Sequence, residues 1–257
     1  MQLRPGVKNQ LFGTVINLRV LGIVAALKSE ARSLTLVPMG ADGLVRLDGT
    51  ALLKVAGIGA NRAFAASEAL IAEGVSALLS WGSGGALHPK LSPGNLILPK
   101  SVIASQKNVF PTDADWRNRL VARLQNHLEI HSEPLAQSPS VLASPLEKSN
   151  FSNRNDAIAV DMESGSVAEM ARRANLPFMV IRAIADTADM AIPASGLNAI
   201  DEYGRLRPMR LLNSLARKPS DLVPLARLSR SFRAARTTLE TVVRLAGKDL
   251  LAFHPDI

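Results

Sequence analysis

Residues 178–189 read Phe178-Met179-Val180-Ile181-Arg182-Ala183-Ile184-Ala185-Asp186-Thr187-Ala188-Asp189, an apolar run that closes on acidic side chains. Its first part, 178–184, has the bulky and β-branched content of a strand, and Asn175 and Pro177 stop the helical pattern of 164–174 just before it. Another apolar run, 157–161, precedes that helix, so the segment reads strand, helix, strand. Working outward, the same alternation covers the chain. Further strands are expected at 19–25, 51–56, 76–81, 95–103 and 140–143, and further helices at 29–36, 61–73, 115–128, 209–216 and 221–245. Gly74 closes the second helix, Thr112 or Asp113 caps the third, and 133–145 reads as loop with one short strand. Strands alternating with helices build βαβ units, so the expected fold is single-domain, three-layer α/β/α with a central mixed sheet. Nothing in 1–257 reads as a linker between domains. Residues 1–18 form an N-terminal extension and 219–250 a basic amphipathic C-terminal helix.

Composition narrows the function classes. The chain has 257 residues, enough to bury a full core, and no cysteine, which excludes disulfide scaffolds, zinc-thiolate sites and thiol nucleophiles. His88, His127, His131 and His254 show no metal-ligand spacing, so the expectation is chemistry without a metal. No apolar run approaches the length of a membrane span. Residues 20–27 resemble a signal-peptide core in length, yet no small-x-small cleavage pattern follows, and a buried first strand is preferred. The formal net charge is +8, concentrated from Arg205 onward, where eleven Lys or Arg face four Asp or Glu. Such a tail suits an acidic partner surface, or is a solvated helical face; both readings stand.

Two glycine-rich turns and three carboxylates carry the chemistry. Gly57-Ile58-Gly59 follows a strand and opens a helix, but Arg62 stands where a dinucleotide fingerprint needs its third glycine. Gly82-Ser83-Gly84-Gly85 follows the strand at 76–81, where backbone amides can approach a ligand and Ser83 adds a hydroxyl. Glu30, Glu163 and Asp186 each stand just past the end of an expected strand. In a parallel sheet they emerge on the ligand-binding rim. The bland reading makes them helix caps and surface charges.

These motifs, taken in order, resemble the nucleoside phosphorylase and methylthioadenosine/adenosylhomocysteine nucleosidase superfamily. The resemblance rests on 22–30, on Gly57-Ile58-Gly59, on Gly82-Ser83-Gly84-Gly85-Ala86-Leu87 with Pro93-Gly94-Asn95-Leu96, on Val160-Asp161-Met162-Glu163-Ser164 and on 180–189. It implies that Asp186 protonates N7 of a leaving purine and that Glu30 activates the attacking water. It further implies that Glu163 grips the ribose hydroxyls, Met162 packs on the sugar, Ser83 and Gly84 border the sugar and nucleophile, and Arg182 stands near the catalytic aspartate. No cofactor is implied; relatives are commonly dimers, and nucleic acid is not an expected partner. Ser80-Trp81 stand where hexameric phosphorylases place an arginine before the Gly-Ser turn, which favours water over phosphate as nucleophile, with Arg62 leaving phosphorolysis open.

Three departures bear on the substrate. Ala185 replaces the serine usual before the aspartate, Ser144-Pro145-Leu146-Glu147-Lys148 replaces a stretch that cups adenine with a phenylalanine, and 104–142 lacks the usual loop near the 5′ group. The C-terminal part resembles the hopanoid-associated branch, linked to removing adenine from adenosylhopane. That points to a lipid-linked nucleoside and to peripheral contact of the C-terminal helix with anionic membrane at the cytoplasmic face. A non-catalytic nucleoside- or RNA-binding module is the rival, weakened by one tyrosine and two tryptophans for stacking.

Overall fold

In the computed structural model, which describes residues 20–40, 42–47, 50–105, 108–201 and 207–251, the chain winds around one long strand. The expected 1–18 extension lies outside the described residues. In chain order the first half runs β1 (Leu21–Ala25), α1 (Lys28–Leu34), β2 (Leu44–Leu47), β3 (Ala51–Val55), α2 (Ala60–Ala72), β4 (Ala77–Ala86), β5 (Leu96–Ile97), β6 (Ser101–Ser105), β7 (Asn108–Pro111) and α3 (Ala114–Leu124). It continues with β8 (Ile130–His131), β9 (Leu135–Gln137), α4 (Pro145–Asn155), β10 (Ala159–Asp161), α5 (Ser164–Arg173), β11 (Phe178–Asp186), α6 (Ala194–Ala199), α7 (Pro208–Arg217) and α8 (Leu222–Leu251).

One mixed sheet holds these strands in the order β2-β3-β1-β4-β10-β9-β6-β7, with β11 on the other edge of β4 and leading to β5 and β8. Strands β3, β1, β4 and β11 are parallel, so their carboxyl ends share one rim. Strand alternation sends each face to its own core. Ile23, Leu53, Leu79, Trp81, Met179 and Ile181 pack with α3 and α8, while Val24, Leu52, Leu78, Val180 and Ile184 pack with α2 and α5. The expected three-layer α/β/α arrangement with a central mixed sheet is therefore the fold.

The layout of β4 matters most for the site. Its first half pairs with β1, ending at Ala25 opposite Trp81; β10 then joins the same edge antiparallel, with Val160 opposite Gly85. Gly82, Ser83 and Gly84 therefore have no strand partner on that edge among the described residues. The sheet forks there, and a fork at the carboxyl ends of parallel strands is where α/β folds open a crevice.

Several boundaries differ from expectation. The expected turn 82–85 is continuous strand, because β11 pairs alongside it as far as Asp186 opposite Gly85. The expected strand 95–103 splits into β5 and β6 around Pro99, which has no N–H to give a ladder. No strand forms at 140–143; the ladder is made earlier, by β9, between Pro134 and Pro139. Helix α4 was not expected. Where the sequence reads correctly, the local cause is visible: the Asp113 side chain accepts from Trp116 N at 2.8 Å as the cap of α3, and Gly74 adopts φ 80° after α2.

Candidate active site

Glu30 is fixed from three sides. It lies on α1, and the indole of Trp81 on β4 holds that helix by donating to Ser33 Oγ at 3.0 Å and to the Glu30 carbonyl at 3.3 Å. The carboxylate accepts Leu27 N–H on Oε2 at 3.0 Å, which caps its own helix, and takes Ser83 N–H at 2.8 Å and Ser83 Oγ–H at 2.7 Å on Oε1. This approach needs glycine next door: a Cβ on Gly82 would stand 2.6 Å from the Glu30 carboxyl carbon. Gly84 is equally confined, its absent Cβ falling 3.0 Å from the Val160 carbonyl.

Glu163 enters from the other side of the fork, between β10 and α5. Its Oε1 accepts Gly59 N–H at 2.8 Å, so the amino end of α2 opened by Gly57-Ile58-Gly59 receives a carboxylate. Burial and the neighbouring Asp161 push the Glu163 carboxyl up to about 7, against the opposing pull of Arg182 and of the Gly59 amide. Met162, half-buried, sits between Asp161 and Glu163.

Arg182, expected near the catalytic aspartate, gives its hydrogen bonds to other groups: Nε donates to Asp161 at 2.8 Å, Nη2 to Ser80 Oγ at 2.8 Å and to Ser164 Oγ at 3.2 Å, and Nη2 stands 4.0 Å from Glu163. The reason is a register irregularity between Ile184 and Asp186. One extra residue gives Asp186 the parity of Ala183, so it leaves β11 on the face opposite Arg182. Asp161 also accepts Ser164 N–H at 3.1 Å, at the amino end of α5, alongside its ion pair.

Asp186 ends β11 beside Gly85, whose missing Cβ would lie 3.1 Å from Oδ2. Its partner comes from α4: Lys148 Nζ donates to Asp186 Oδ2 at 2.5 Å, to the Thr187 carbonyl at 2.6 Å and to the Met190 carbonyl at 3.1 Å. Burial drives the Asp186 carboxyl upward, and the Lys148 ammonium only partly offsets it. Sequence reasoning passed over Lys148. The available signal was Ser144-Pro145-x-Glu147, a capping box with proline in the first turn, which starts a helix and carries the lysine inward.

Thus Ser83, Gly82 and Gly85 of one strand touch Glu30 and Asp186, and Ser83 to Gly85 spans roughly 7 Å at the usual strand rise. Glu163 feels the charge of Glu30 across the fork. Glu30 and Asp186, two of the three carboxylates expected on one rim, thus lie against one segment of β4.

A model of the phosphorylase superfamily matches residues 44–202. The chain belongs to that superfamily. A 5′-methylthioadenosine/S-adenosylhomocysteine nucleosidase of Buchnera aphidicola subsp. Baizongia pistaciae is 26% identical over 186 residues, 64% of this chain and 68% of the relative. Among superfamily structures, that nucleosidase from Neisseria meningitidis, in complex with methylthio-immucillin-A, has a TM-score of 0.67 at 17% identity, covering 91% of this chain and all of its own (100%). The native futalosine hydrolase of Helicobacter pylori has a TM-score of 0.62 at 18% identity, with 88% of this chain and 98% of that one covered. At such identities the structural likeness fixes the superfamily fold.

Proposed function

We propose that this chain is a nucleosidase that hydrolyses the N-glycosidic bond of an adenine nucleoside. One observation carries the reading: two buried carboxylates, Glu30 of α1 and Asp186 of β11, meet β4 about two strand residues apart, at Ser83 and Gly85, each held by a different set of donors. Breaking the bond between C1′ and N9 leaves an electron-rich base and a cationic sugar. Asp186, whose carboxyl is raised toward the protonated form, donates its proton to N7 of the departing purine. Glu30 takes a proton from water as it attacks C1′, the division of labour of inverting glycoside cleavage. Glu163 accepts from the ribose hydroxyls when ionised, and the Asp161–Arg182 pair holds it in place. Met162 covers the sugar, and Ser83 and Gly84 form its floor.

Water is preferred to phosphate on the same geometry. Ser83 N–H and Oγ–H, the donors a phosphate would use, are already given to the Glu30 carboxylate. Arg182 is committed to Asp161, Ser80 and Ser164.

The finer part of the proposal concerns the 5′ group, for which we propose a lipid such as the hopane of adenosylhopane, and contact with anionic membrane. The stripe of α8 does not serve that contact: Ala235, Leu239, Val242 and Ala246 are buried in the core, although Arg227, Arg230, Arg233, Arg236 and Arg244 face outward. The α7 helix suits it better. It has no buried residue, and exposes Met209 (68%) and Leu212 (60%), with Arg210 and Arg217 on the same element and Leu222 and Val223 following. No helix among the described residues is long and apolar enough to cross a membrane, so the contact would be peripheral.

The test is adenine release from adenosine, 5′-methylthioadenosine and adenosylhopane, with and without phosphate. The expected result is free adenine and a reducing sugar at a rate independent of phosphate, fastest with the apolar 5′ groups. A ribose 1-phosphate type of product refutes hydrolysis. Absence of turnover with every substrate, despite binding, makes the chain a nucleoside-binding module.

A further inference from the structure

Helix α4 is anchored in an unusual way. Ten of its side chains are exposed or half-buried, and the one that is buried is a lysine: Lys148 is 1% exposed. A buried ammonium is costly unless every proton finds an acceptor. Here all three do, on Asp186 Oδ2 and the Thr187 and Met190 carbonyls. The two carbonyls belong to the segment that directly follows β11, so one cation ties α4, the end of β11 and the next turn together. Asp186 Oδ1, by contrast, has no hydrogen-bond partner among the described residues.

We infer that Lys148 is the positioning residue of the acid, clamping Oδ2 of Asp186 so that Oδ1 faces the leaving base, and holding the carboxylate that forms when the proton departs. The inference rests on the nucleosidase reading above. In the step itself the C1′–N9 bond breaks and its electron pair passes into the purine. The O–H bond on Asp186 Oδ1 breaks, its proton goes to N7, and its electron pair stays on the carboxylate. That new negative charge appears directly against the Lys148 ammonium, which therefore interacts more strongly with the transition state than with the resting acid. Lysine at this position also accounts for how the chain functions with Ala185 in place of a hydroxyl: the support for Asp186 arrives from α4 instead of from its own strand.

A merely structural lysine and a positioning lysine separate in two measurements. The first compares two substrates in K148M, which keeps the length of the side chain and removes the charge. One is 5′-methylthioadenosine, whose base needs protonation; the other is 4-nitrophenyl β-D-ribofuranoside, whose leaving group departs without it. Since general acid help is worth ~10²–10⁴-fold, K148M is expected to lower kcat for the nucleoside by roughly 10- to 100-fold with little change in KM, and to leave nitrophenol release within about threefold. Equal loss on both substrates overturns the inference, because it means that the site has only collapsed. The second is the pH profile. An opposite charge at this distance lowers an acid's pKa by about 1–3 units, so its removal moves the alkaline limb of kcat/KM upward by about one unit or more. A limb that stays in place overturns the inference as well. K148R, which restores a cation, is expected to bring the limb back toward its original pH. Failure of the wild type on every nucleoside would refute the nucleosidase reading itself, an outcome distinct from any result with the variants.

Discussion

Replacing Glu163 by glutamine is expected to abolish or strongly weaken catalysis while making the protein more stable at alkaline pH. The carboxyl is raised from 4.5 to about 7 in the folded chain, chiefly by burial and by Asp161. A raised folded value means that the native state holds its proton more tightly than the unfolded state, so the contribution of Glu163 to stability is fullest below pH 4.5 and falls as pH climbs to about 7. Over that window the loss is about 3 kcal/mol, at 1.36 kcal/mol for each unit. Glutamine keeps an acceptor for Gly59 N–H but never ionises. Arg182 loses a neighbour 4.0 Å away, yet retains Asp161 at 2.8 Å, so its charge remains paired. The stability gap between E163Q and wild type therefore widens by about 2–3 kcal/mol from pH 5 to pH 8.5. With about 2–4 °C per kcal/mol for a chain of this size, the relative gain in Tm is roughly 4–12 °C. Thermal and urea unfolding of both proteins at the two pH values measure it directly. A gap that is independent of pH, or that narrows at pH 8.5, refutes the claim that Glu163 is held in the protein against its preference to ionise in water.

Asp186→Asn keeps the shape of the acid and removes its proton, so base release is expected to fall by ~10²–10⁴-fold while an unreactive adenine nucleoside analogue still binds. The same variant leaves Lys148 buried without its carboxylate, so calorimetry is expected to show a loss of about 3–5 kcal/mol or the corresponding drop in Tm. Gly82→Ala places a methyl 2.6 Å from the Glu30 carboxyl carbon; kcat is expected to collapse, with about 1–3 kcal/mol of destabilisation from overpacking. Changing Arg210 and Arg217 on α7 to glutamate is expected to abolish flotation with liposomes rich in anionic lipid and to leave adenine release from 5′-methylthioadenosine unchanged. Wild type that floats no better than this variant removes the membrane from the proposal.

How far the sequence could be read depended on whether the signal was local. Strands β1, β3, β10 and β11 are apolar runs bounded by their own stop residues, and their positions follow from the chain alone. The helices α2, α3 and α5 carry caps and apolar periodicity, and these too were legible. Helix α4 was not, since its single buried side chain is charged and its faces show no apolar stripe. Likewise the extension of β4 through Gly82–Gly85 is set by partners, β10 and β11, that lie far along the chain. A glycine run without them would be a turn. Among the site residues, Glu30, Glu163 and Asp186 were placed by their positions after strands. The pairing of Arg182 with Asp161 was not legible, because one inserted residue in β11 reverses the face on which Asp186 leaves, and periodicity cannot count a bulge.

The charge balance at the fork explains why the Glu163 carboxyl is raised. Four buried carboxylates, Glu30, Asp161, Glu163 and Asp186, surround two buried cations, Arg182 and Lys148. Arg182 is matched to Asp161 and Lys148 to Asp186, which leaves Glu30 and Glu163 without a dedicated cation. Glu30 is met by hydrogen bonds from Leu27 and Ser83. Glu163 accepts from the Gly59 and Met162 amides and has a guanidinium 4.0 Å away, and it is the group pushed up to about 7. Such an excess of negative charge is a liability in the empty protein. In the proposed reaction it would turn into stabilisation as a sugar with cationic character develops between the carboxylates, because the field is already in place and needs no reorganisation. A phosphate dianion in the same space would meet that field with the wrong sign. On the proposed reaction, the arrangement that destabilises the resting fold is thus the one that would select a neutral nucleophile and a cationic transition state, and neutralising Glu163 is expected to remove both effects together.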